Sequence, residues 1–99
     1  MSELNKIKTV VISFKLYAPW VHSLKEKRMI VKSLIAKIQN KFHLSVAEIG
    51  KQDTHQIIAI GISGIVPDNI IADNMINEIS EFIGLSTEAE VLEGEWEIR

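Results

Sequence analysis

The chemistry open to this chain of 99 residues is concentrated in two short runs. The first is Ser23-Leu24-Lys25-Glu26-Lys27-Arg28, with Lys32 one turn on. At 100° per residue, Lys25, Arg28 and Lys32 fall within about 60° of one another. They form a stripe that could follow the phosphates of a nucleic acid. A helix mouth carries positive potential from its unpaired amides and favours acids, so cations there either meet an anionic partner or are neutralised by the chain's own Glu48, Asp53 or acidic last strand. Lys27 falls towards the buried flank, where it would snorkel or pair with an acid. The second run, Gln52-Asp53-Thr54-His55-Gln56, is more polar than a two-residue turn requires. Gln52, Asp53, His55 and Gln56 are either turn formers, bonding side chain to backbone, or ligand contacts beside the basic turn. His22 could approach His55, with Asp53 or Glu48 nearby, but two histidines on separate loops are thin evidence and no metal site is assigned.

Catalysis lacks its parts. With no cysteine, thiolate nucleophiles, disulfides and Cys-based metal or iron–sulfur sites are excluded. There is no Gly-x-Ser-x-Gly elbow and no glycine-rich phosphate or dinucleotide loop. The chain therefore reads as non-enzymatic and without a cofactor. No apolar run reaches the ~18 residues of a membrane helix, and the first six residues do not resemble a signal peptide. A cytoplasmic protein with no membrane association is expected.

The elements that would position these residues follow from periodicity. Lys8 to Tyr17 alternates as a strand. Ser23 and Glu26 make a capping box, so a helix begins at Leu24, buries Val31, Leu34, Ile35 and Ile38, and ends near Phe42. Leu44 to Ile49 and the β-branched run Gln56 to Ile65 form a hairpin. Asp68 caps a second helix whose buried stripe includes Ile76, Ile79 and Ile83, with Gly84 its expected C-cap. His43 is expected to cap the first helix. Glu88 to Ile98 alternates again, with Leu92, Trp96 and Ile98 facing the core and Glu93, Glu95 and Glu97 outward. Trp20 is expected to plug the core from its loop.

The order β-α-β-β-α-β predicts one α+β domain over 1–99 of ferredoxin-like type: a four-stranded antiparallel sheet, two helices on one face, strands one and three central. Ala18 to Arg28, Gly50 to His55 and Gly84 to Glu88 should meet at one end. The third strand has no aromatic for stacking bases, so any nucleic acid would bind at the first helix. The other face, with Val11, Tyr17, Ile57, Ala59 and Val91 expected on it, could pair with a second copy.

Charge divides along the chain. Through Lys51 it is net +7, and from Gln52 onward net −9. The halves either interleave in space and neutralise each other, or leave one side for an anionic partner.

The run Ser23 to Arg28, continuing through Val31-Lys32-Ser33-Leu34 and Phe42 to Ser45-Val46-Ala47-Glu48 and Gln52-Asp53, resembles the YlxP family of small bacterial proteins, a domain of unknown function. The similarity is close from about Leu16 to Gln56 and looser through Ile98. The resemblance implies a ferredoxin-like domain, and genes often found beside those for transcription elongation, translation initiation and ribosome maturation. It carries over Lys25, Lys27, Arg28, Lys32, Gln52 and Asp53 as motif positions without assigning them a role. His55 and Ile57 stand where family members often have a bulky aromatic and a cation. The functional expectation is an accessory protein touching ribosomal RNA or a ribosome-associated protein through its basic first helix. The alternatives are a homodimer joined through the sheet, or a domain sensing a small ligand at the 18–28/50–55 end.

Overall fold

A computed structural model describes residues 2–51 and 54–99. Strand β1 (Lys8–Tyr17) leads to helix α1 (Leu24–Phe42), the hairpin β2 (Ser45–Glu48) and β3 (Ile57–Val66), helix α2 (Asn69–Ser86) and strand β4 (Glu90–Ile98). A short 3-10 turn, Glu3–Lys6, precedes β1. The strands lie in the order β2-β3-β1-β4, and every pairing is antiparallel. Right-handed crossovers force this order, which is the ferredoxin-like arrangement.

The alternation in β1 and β3 becomes two faces. Val10, Ile12, Phe14 and Leu16 pack with Ile58, Ile60 and Ile62 beneath the helices, joined by Val31, Leu34 and Ile38 of α1 and Ile76, Ile79 and Ile83 of α2. Burying each such side chain contributes about 1.5–3 kcal/mol. Phe42 and Phe82 meet edge to face, 5.4 Å between ring centres, and join the two helices. Ser23 accepts the Glu26 amide at 3.1 Å, and Asp68 accepts the Ile71 amide at 2.9 Å, so both helix starts are capped by their side chains. The Glu26 carboxylate reaches back to the His22 amide, one residue beyond the usual capping box. His43 ends α1 in the left-handed conformation, and its backbone amide rather than its imidazole donates to Gln39.

Three expectations from the sequence are corrected. Gly84 does not cap α2, which continues to Ser86 and ends at an extended Thr87. Trp96 is not in the core. It pairs with Ile12 and so lies on the helix side of the sheet, yet it is 59% exposed. β4 is the edge strand beyond α2, and side chains at that height lack a helical roof. Val91 is not on the open face. The register shifts between Lys15 and Leu16, and Val91 pairs with buried Leu16. An extra residue at that irregularity moves the following side chains out of phase with simple alternation.

Candidate functional site

The three segments expected at one end do come together there. The Ala18 amide donates to Gln56, and the Gln56 side-chain amide donates to the carbonyls of Pro19 at 2.9 Å and Val21 at 3.3 Å. Trp20, Met29, Ser86 and Glu88 border a shared depression of about 330 Å³. Trp20 is 39% exposed, so it covers this end only in part. Gln56 is thus a brace for the 18–21 loop, and His55 is half-buried beside it. Gln52 and Asp53 lie outside the described residues.

The four cations at the mouth of α1 separate into two groups. Lys27 is 1% exposed. Its ammonium donates to the carbonyls of Lys51 and Thr54, the latter at 2.8 Å, and stands 3.2 Å from Glu48 Oε2. That oxygen is shut off from water and accepts no directed hydrogen bond, so the contact is an ionic one. Lys27 therefore cannot serve as a phosphate contact, and its place among the anion-binding residues is corrected. The helical position that buries its stem also aims its charge at the hairpin, which it ties to α1. Positions 50 and 51 both take left-handed backbone, φ +68 at Gly50 and +59 at Lys51, to turn the chain there.

Lys25, Arg28 and Lys32 are exposed. Among the described residues, the ion pairs are Lys6–Glu3, Lys27–Glu48 and Arg99–Glu97, so these three cations are not engaged by a carboxylate there. Arg28 and Lys32 border a groove of about 390 Å³ between α1 and β2, floored by Val31, Ile35 and Ala36 with Glu48 on its strand wall.

The charges of the two halves mostly separate, with Lys15 of β1 opposite Glu93 of β4 as an exception. α1 holds Lys25, Lys27, Arg28, Lys32, Lys37 and Lys41 against Glu26, whereas α2 holds Asp73, Glu78 and Glu81 with no cation, and β4 has four glutamates. α1 packs beside β2, and α2 packs beside β4, which are opposite edges of the sheet. The basic and acidic sides thus face apart. At the far edge, the hydrogen bond from Arg99 at 3.0 Å, and then its charge, hold the Glu97 carboxyl below its ordinary range.

The open sheet face carries Val11, Tyr17, Ile57 and Ala59 as expected, with exposed Ile65 beside them. Ser13, Ala59, Gly61 and Ser63 form its centre, and Glu93, Glu95 and Glu97 pair with Lys15, Ser13 and Val11 along one border. No helix among the described residues is long and apolar enough to cross a membrane.

Residues 9–96 match the model of the family described as a protein of unknown function, DUF503. The chain belongs to the DUF503 family. It is also 36% identical over 76 residues to the uncharacterized protein YlxP of Bacillus subtilis (strain 168), covering 75% of this chain and 83% of that protein. The DUF503 match contains both helices, β2 and β3 and most of β1 and β4, so the cationic flank of α1 and its groove belong to the shared domain.

Proposed function

We propose that this protein is a non-enzymatic accessory factor that binds RNA, with ribosomal RNA the expected source, through the flank carrying Lys25, Arg28 and Lys32. One observation carries the reading: three exposed cations share one helical stripe, with no carboxylate engaging them among the described residues. Stability alone would favour the opposite charge in that first turn by about 0.3–1 kcal/mol per residue. The acidic α2 and β4 stand at the other edge, away from a polyanion seated on α1. Lys27 and Gln56 support the surface by holding the hairpin and the 18–21 loop in place.

The test is fluorescence anisotropy with a labelled ribosomal RNA fragment at fixed salt. Reversing Lys25, Arg28 and Lys32 together to glutamate should weaken binding by about 100-fold or more, on the order of 1 kcal/mol for each phosphate contact. Lys8→Glu, at the far end of β1, should change it less than about twofold. Equal affinity for the triple variant would remove the proposal.

Self-association through the sheet is the second reading, since its open face carries Val11, Tyr17, Ile57 and Ala59 beside a glutamate border.

A further inference from the structure

The two edges of the sheet are differently protected. β4 carries four glutamates and an irregular register, devices that discourage a further strand. β2 has neither proline nor lysine, and its single charge, Glu48, is turned inward to Lys27. The Ile49 amide donates to Ala59, which fixes the phase of the ladder. Hydrogen-bonded pairs alternate, so Ala47 and Ser45 also direct their backbone groups at β3. The amides and carbonyls of Val46 and Glu48 therefore point outward from the sheet.

We propose that this edge is a docking site for an extended, acidic segment of a partner protein, added as a fifth strand beside β2. Side chains opposite Val46 and Glu48 would project to the helix side, because Val46 and Glu48 pair with buried Ile62 and Ile60. They would enter the groove between α1 and β2. α1 runs antiparallel to β2, and Lys27 reaches Glu48, which sets Arg28 level with the end of the strand and Ile35 nearer Val46. The groove thus offers a cationic station and an apolar station two strand residues apart, and selects an acidic and an apolar side chain at i and i+2. A second copy joined through β2 is disfavoured by the same charges, since it would bring two strongly basic α1 helices together.

The probe is a seven-residue peptide, blocked at both ends, in which Glu, Val and Glu alternate with threonines, so that either direction presents the required pair. With the isotope-labelled full chain, the peptide should shift amide resonances along α1 and β2 and slow hydrogen exchange at the Val46 and Glu48 amides. N-methylating the peptide amides that face the edge should weaken binding by about tenfold or more. Val46→Pro removes an outward donor from an edge strand, where proline is tolerated, and should do the same while β3 amides stay protected. A matching peptide with lysines for glutamates should bind at least about tenfold more weakly. Equal binding of the N-methylated or lysine peptide would overturn the proposal. So would absence of binding, or protection at Val46 and Glu48 that rises with protein concentration alone, which would make a second copy the occupant. RNA held by the Arg28 and Lys32 side chains gives no strand-type amide protection, so this site and the RNA reading fail separately.

Discussion

The ammonium of Lys27 is surrounded by oxygens of the hairpin: two carbonyls, of Lys51 and Thr54, and the Glu48 carboxylate. An internal charge of this kind gives little net stability while intact, but breaking it strands its partners in a dry site. Lys27→Met should therefore cost about 3 kcal/mol, lowering Tm by roughly 12–24 °C for a chain of this size, measured by thermal unfolding. A loss under about 1 kcal/mol would show that the carbonyls and Glu48 find water instead. The sequence places Lys27 on the inner flank from helical spacing alone. It offers Glu48 only as one of several carboxylates within reach, because that residue lies on another element, and it does not show the two carbonyls, which are backbone groups common to every residue. Gln56 behaves alike: its polarity is visible in the sequence, whereas its targets, the carbonyls of Pro19 and Val21, are set by how the loops stack.

At the scale of elements, side-chain signals were legible and those depending on neighbours were not. Ser23 and Asp68 declare the helix starts because their caps act within three residues. Gly84 misleads, since glycine also occurs inside a helix when the following turn remains favourable: α2 continues to Ser86, whose hydroxyl donates to the Phe82 carbonyl, and the Thr87 hydroxyl just beyond it accepts the Ala89 amide. A Cβ at position 84 meets nothing within 4 Å. Gly84→Ala should thus stabilise the protein by about 0.5–1 kcal/mol, seen as a higher urea midpoint with an unchanged slope. Were Gly84 a left-handed cap, alanine would destabilise it instead. Trp96 has the opposite history. Its alternation with glutamates marks the helix side, but how far α2 extends over the edge strand is a property of packing, and the ring remains largely in water. The Phe14–Gly94 pair shows the same dependence, with the Phe14 ring 3.2 Å from where a Cβ on Gly94 would stand.

For the whole molecule, the fold orders the charge. Two crossovers carry the basic α1 to the β2 edge and the acidic α2 and β4 to the other, so a net charge of −2 conceals two opposed surfaces. The β-α-β-β-α-β order and the central places of β1 and β3 were legible because hydrophobic period and crossover handedness fix them. The segregation of charge was only half legible, since the sequence gives the totals and the topology assigns the sides. The salt dependence of RNA binding tests the resulting account most directly. With Lys25, Arg28 and Lys32 each neutralising one phosphate, the logarithm of affinity should fall by about 2–3 for each tenfold rise in salt. The glutamate triple variant should bind too weakly to define such a slope. A wild-type affinity that does not change with salt, or a triple variant that retains the full slope, would contradict a phosphate-binding role for α1.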